Sequence, residues 1–142
     1  MNCDRDQEKM LVDAAFAARG NAYAPYSGFS VGAALLTEDG KIYPGCNIEN
    51  AAFTPGCCAE RAAFFRAVGE GERSFAAIAI VGAKTGEEPA AVCPPCGVCR
   101  QVMQEFCDPE TFRILLPRSR REWETCTLAQ LLPLGFGGHG KI

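Results

Sequence analysis

With 142 residues, 48% of them hydrophobic and 22% charged, the chain has the length and balance of one globular domain spanning residues 1–142. Seventeen acidic against fourteen basic residues leave a net charge of −3, which argues against a nucleic-acid partner, because non-specific binding needs a dense positive surface. No apolar run approaches the ~18–20 residues of a membrane helix, and Met1–Asp6 carries no secretory core, so no membrane partner and a cytoplasmic location are expected.

The first expected element is a helix from about Asp6 to Arg19, with Met10, Leu11, Ala14, Ala15 and Ala18 on its inner face and Gly20 as the C-cap. Ser30–Thr37 and Lys41–Ile48 read as two strands joined by Glu38-Asp39-Gly40, a hairpin turn whose Asp-Gly pair tolerates positive φ. A second helix should run from near Cys58 to Val68 and stop at Gly69 and Gly71. The apolar run Phe75–Ala83 suits a central strand buried on both faces. A third helix should start near Pro95, with Val98, Val102 and Phe106 inward. Phe112–Leu116 and Trp123–Cys126 read as strands, and Leu128–Leu132 as a helical turn. Strands alternating with helices predict an α/β sandwich around a mixed sheet. The basic cluster Arg118, Arg120, Arg121 reads as a solvated loop, with a phosphate-binding patch as the sharper alternative.

Nine cysteines are many for this length, and an odd number without a leader speaks against a disulfide framework. They cluster as Cys57-Cys58 and Cys93-x-x-Cys96-x-x-Cys99. The single histidine, His139, lies in the glycine-rich tail Gly135–Gly140, which leaves no positioned imidazole for Ser-His or Cys-His catalysis. Cys96 and Cys99, three apart at a helix start, can turn both sulfurs to one ion. Cys58 would open the other helix, where the partial positive charge favours a thiolate. Three protein ligands leave a fourth tetrahedral position open, as in catalytic zinc. Glu60, two residues after Cys58, would hang beside that position and move protons. Zn²⁺ with three thiolates totals −1, so Arg61 and Arg100 are expected to bond the sulfurs and restore Lewis acidity. Cys57 or Cys93 as a fourth ligand would close the site and make it structural. Cys3, Cys46, Cys107 and Cys126 read as packing or surface thiols.

Cys58-Ala59-Glu60 followed by Pro95-Cys96-Gly97-Val98-Cys99, with Ala24-Pro25-Tyr26-Ser27-Gly28-Phe29-Ser30-Val31-Gly32-Ala33-Ala34-Leu35 and Gly45-Cys46-Asn47-Ile48-Glu49-Asn50-Ala51, resembles the small homotetrameric, three-cysteine cytidine deaminases over nearly the whole chain. The resemblance implies a three-layer α/β/α fold with a mixed five-stranded sheet. It implies one zinc per chain and hydrolytic deamination of cytidine and deoxycytidine to uridine and deoxyuridine, a step of pyrimidine salvage. Activated water would attack C4 of the base, and Glu60 would protonate N3 and then the leaving amine. Ala59 and the loop at Ala51 would hold the amino group and base edge, Asn47 and Glu49 the ribose hydroxyls, and Phe29 would pack on the nucleoside. Phe136 would reach a neighbouring subunit's site within a homotetramer. Phe53 stands where many members of the family carry tyrosine.

Two other functions stay open at this point. One is a relative acting on another aminopyrimidine, such as blasticidin S. The other is a structural zinc module that binds a protein, which would have no use for Glu60 beside an open coordination position.

Overall fold

The computed structural model describes residues 4–138, so His139 and Cys3 lie outside the described residues. The elements are α1 (Arg5–Arg19), β1 (Phe29–Thr37), β2 (Ile42–Cys46), α2 (Ala59–Gly69), β3 (Phe75–Lys84), α3 (Gly97–Phe106), β4 (Arg113–Pro117), β5 (Trp123–Thr127) and α4 (Leu128–Leu131). The five strands form one mixed sheet in the order β2-β1-β3-β4-β5. Only the β3–β4 pair is parallel, and α3 lies in the crossover that a parallel pair requires. Pro44 sits on the edge strand β2, where a missing N–H costs no ladder bond on the open side.

Alternation along the strands builds two cores. Ala33, Leu35, Ile78, Ile80 and Ile114 pack with Ala63, Phe64 and Ala67 of α2 and Met103 of α3. Ala34, Leu36, Ala77, Ala79 and Leu115 face Leu11, Val12, Ala15 and Phe16 of α1. The expected three-layer α/β/α arrangement is therefore present. The central strand β3 is buried from Phe75 to Gly82, and two glycines let the helices close on the sheet. A Cβ at Gly32 would stand 2.1 Å from the Ala15 carbonyl of α1, and one at Gly45 2.4 Å from the Ala59 carbonyl of α2.

Several local expectations need correction. Met10 is 61% exposed, and the inner face of α1 is Glu8, Leu11, Val12, Ala15, Phe16 and Ala18. Glu8 is buried because Arg113 Nη2 and Trp123 Nε1 donate to its two oxygens at 2.9 Å each, which replaces the water a buried carboxylate loses. In the β1–β2 hairpin only Gly40 has positive φ, at 93°. Its N–H donates to the Thr37 carbonyl, so the turn is a three-residue loop closed by a left-handed glycine. Pro95 precedes the α3 cap, which is Cys96. Val98 is exposed, and Cys99 and Met103 face inward instead. The Arg118–Arg121 loop is built from internal contacts: Arg118 pairs with Glu124, and the Arg120 guanidinium lies 4.4 Å from the Phe16 ring. Among the described residues no helix is long and apolar enough to cross a membrane.

Candidate metal centre and nucleoside cleft

The site begins with two helix N-termini. Cys58 is the N-cap of α2 and Cys96 the N-cap of α3, each in extended backbone and neither using its side chain as a cap. The thiols are thus free to meet in front of two sets of unpaired N–H groups, where negative charge is favoured. Cys99 stands at the third position of α3, so its sulfur folds back onto Cys96 at 3.6 Å. The Cys58 and Cys96 sulfurs are 3.8 Å apart, and the sulfurs of all three residues lie within 4.8 Å of one another. Sulfurs bound tetrahedrally to zinc at about 2.3 Å stand about 3.8 Å apart, so the donor set fits that ion. Among the described residues this is the group that gathers three metal-ligating side chains, and neither Cys57 nor Cys93 belongs to it. Cys57 Sγ points to the Cys58 carbonyl at 3.5 Å. Cys93 packs over Gly82, where burial pushes its thiol up to about 11.

The charges suit a cation. The Cys99 thiol's hydrogen bond, with those from Arg61 and Cys96, holds Cys58 down at about 5 against the pull of burial. Cys99 is raised by the same contact with Cys58 and by burial. Arg61, third residue of α2, reaches back over one turn and sets Nη2 3.5 Å from Cys58 Sγ, the second-layer contact expected of it. Its Nε is buried without a partner. Arg100 takes a different place: Nε donates to the Pro95 carbonyl at 2.7 Å and Nη1 to the Leu131 carbonyl. It braces the segment entering Cys96 and does not bond the sulfurs as expected.

Glu60 is the second residue of α2 and 5% exposed. Burial, with a smaller push from Cys58, raises its carboxyl to about 7, while the Cys99 thiol's hydrogen bond works the other way. Ala59 beside it is fully buried.

A small pairing patch joins the neighbouring loops. Ile48 bridges Tyr23 on one side and Cys57 on the other. Its neighbours Asn47 and Glu49 therefore project together, next to the chain that leads into Cys58. A cleft of about 520 Å³ opens here, walled by Ser27, Asn47, Glu49, Phe53, Cys58 and Arg61 among others. Glu60, Ala51, Ala59, Phe29 and Phe136 are not on its wall. The Asn47 amide accepts from Val31 N–H and donates to the Phe29 carbonyl, both at 2.9 Å, which leaves one N–H and one lone pair for a ligand. Phe29 lies across Gly82, where a Cβ would stand 2.8 Å from its ring. Ala51 sits in the exposed loop after Asn50. Phe136 is 62% exposed, its carbonyl held by Gln101 Nε2 of α3 at 2.9 Å.

Sequence reasoning missed the parts played by four residues. Ser27 and Tyr26 bind the Glu49 carboxylate, Gly45 seats α2, and Gln101 holds the tail. Only Gly45 left a signal, as a glycine inside a strand.

The family profile described as the cytidine and deoxycytidylate deaminase zinc-binding region matches residues 5–114. A cytidine deaminase of Sporosarcina psychrophila is 50% identical over 131 residues, covering 92% of this chain and 91% of its own. That of Halalkalibacterium halodurans is 44% identical over 128 residues, with 90% and 92% covered. The crystal structure of a cytidine deaminase from Burkholderia pseudomallei superposes with a TM-score of 0.80 at 47% identity, covering 89% of this chain and 97% of that one. One from Mycobacterium tuberculosis gives 0.78 at 38% identity, covering 95% and 100%.

Proposed function

The chain belongs to the cytidine and deoxycytidylate deaminase family, and from that membership we propose that it hydrolyses cytidine and deoxycytidine to uridine and deoxyuridine with release of ammonia, a reaction of pyrimidine salvage. The observation that carries this reading is the cluster of Cys58, Cys96 and Cys99 at zinc-compatible spacing, with Glu60 buried as the second residue of the helix that Cys58 opens. Zinc held by these three thiolates supplies the Lewis acidity that makes water nucleophilic near neutral pH.

The remaining chemistry falls to the chain's own residues. Glu60 takes a proton from the attacking water and delivers it to N3 of the base; it then takes the proton of the hydroxyl added at C4 and delivers it to the amine, which leaves as ammonia as the C4 carbonyl forms. Its low exposure suits a group that must exchange protons with substrate and not with solvent. Ala59 and Ala51 offer backbone groups to the amino group and base edge. Asn47 and Glu49 take the ribose hydroxyls, and Phe29 packs on the nucleoside. Arg61 draws charge from Cys58.

We read residues 1–142 as one catalytic domain that assembles as a homotetramer with sites shared between subunits. Exposed Phe53, Leu134 and Phe136 support this, since large apolar side chains gather where proteins meet, and the cleft of one chain does not include Phe136. A cytoplasmic location fits a chain rich in thiols without a disulfide among the described residues. The test is chromatography of the products formed from cytidine, deoxycytidine and blasticidin S. Uridine and deoxyuridine, each with equimolar ammonia, are expected. Deamination of blasticidin S alone would move the substrate to another aminopyrimidine.

A further inference from the structure

The Glu49 carboxylate is held almost entirely from one loop. Its Oε1 accepts the backbone N–H groups of Tyr26 and Ser27, both at 3.0 Å, and its Oε2 accepts the Ser27 hydroxyl. A carboxylate offers about four lone-pair positions, so these three donors leave one on Oε2. The Ser27 oxygen in turn accepts the Phe29 N–H at 3.0 Å. One hydroxyl therefore gives its proton to Glu49 and a lone pair to the backbone of Phe29.

We propose that Ser27 is a positioning residue for nucleoside recognition: its hydroxyl, itself anchored by the Phe29 N–H, fixes the Glu49 carboxylate where the sugar hydroxyls are met. The inference rests on the reading that Glu49 takes a ribose hydroxyl. Without the Ser27 hydroxyl, Oε2 loses a charge-assisted bond, the carboxylate is left on the two backbone N–H groups at Oε1, and the freedom it gains at Oε2 must be frozen when ligand binds. The loop itself has other support. Gly28, at φ 67°, donates its N–H to the Ala24 carbonyl, and Ser27 is exposed, so removing the hydroxyl leaves the core untouched. The Glu49 carboxyl is held below its ordinary value, with the Ser27 hydroxyl as the largest cause.

The test compares wild type, Ser27→Ala and Ser27→Thr on cytidine and on 2′,3′-dideoxycytidine, which lacks both ring hydroxyls. Ser27→Ala should raise KM for cytidine about tenfold, with kcat within about twofold. It should change the dideoxy substrate little, so discrimination between the two substrates shrinks. Ser27→Thr, which keeps the hydroxyl, should restore it. Equal losses on both substrates would overturn the proposal. A readout independent of turnover is the titration of the Glu49 carboxyl followed by NMR, whose midpoint should rise in Ser27→Ala and return in Ser27→Thr. An unchanged midpoint would also overturn it. Absence of any turnover by the wild type would overturn the deaminase reading, and the Glu49 titration would still decide whether Ser27 holds the carboxylate.

Discussion

In the proposed mechanism, Glu60 is the residue on which the chemistry turns. An amide in its place has the same size but cannot accept and return a proton. Glu60→Gln should bind zinc and keep the fold while losing at least ~10²-fold in kcat, and a loss of less than about tenfold would remove it from the mechanism. If Arg61, 3.5 Å from Cys58 Sγ, draws charge from that sulfur as proposed, Arg61→Gln should lower kcat more than it lowers zinc affinity, as measured by competition with a chromophoric chelator. Glu49 gives a pH prediction. Its carboxyl is depressed by Ser27 and Tyr26 donors, so it stays charged through the ordinary carboxylate range and takes a proton only below it. The ratio of KM for cytidine to KM for 2′,3′-dideoxycytidine, in which the titration of Glu60 cancels, should be flat from about pH 8 to about pH 5 and rise only as pH falls through the lowered Glu49 value. A rise beginning near pH 6 would mean that another group holds the sugar. At this scale the meeting of Cys96 and Cys99 was legible because their spacing is short and local, while Cys58, 38 residues from Cys96, was legible only as the residue that opens a helix. The placement of Arg100 was not: adjacency to Cys99 does not say whether a long side chain turns to sulfur or to the Pro95 and Leu131 carbonyls. The contact of Ser27 with Glu49 was not legible for a related reason, since the two are 22 residues apart.

Each helix that bears on the site is set by what its backbone rests on. Gly32 and Gly45 make the same kind of close contact on opposite faces of the sheet, which gives a paired prediction. Gly32→Ala would press on Ala15 and Arg19 of α1 and should cost about 1–3 kcal/mol of stability, read from denaturant unfolding, with zinc affinity kept. Gly45→Ala would press on Ala59 and Ala63 of α2, the helix that carries Cys58 and Glu60. It should cost a similar amount and weaken zinc binding as well. Equal zinc affinity in the two variants would show that α2 is placed by something other than Gly45. The elements themselves were readable from glycine stops, the Asp-Gly turn and apolar runs. Their faces were less so. Glu8 completes the inner stripe of α1 with Leu11, Val12 and Ala15, but a carboxylate reads as a surface residue until Arg113 and Trp123, more than a hundred residues away, are known to meet it. Val98 looked like core, yet it stands in the first turn of α3, where Cys99 takes the inward position.

For the molecule as a whole, the proposed assembly turns on the tail. Gln101 fixes the Phe136 carbonyl on α3 while the ring stays exposed, and the cleft beside Cys58 lacks that ring. A symmetric assembly would let each subunit give and receive one tail. Mixing Phe136→Ala with Glu60→Gln should therefore restore activity after subunit exchange, because some sites then pair an intact Glu60 with a neighbour's intact Phe136. Exchange shown by mass with no recovery would confine the tail to its own chain. The central claim, a three-thiolate zinc site that deaminates cytidine, is tested most directly by stripping the metal with a chelator, adding zinc back in steps and following cytidine turnover by its ultraviolet absorbance. Activity should be lost on stripping and should rise linearly with added zinc, ending sharply at one ion per chain. Full activity in the stripped protein, or no turnover with one zinc bound per chain, would contradict the account.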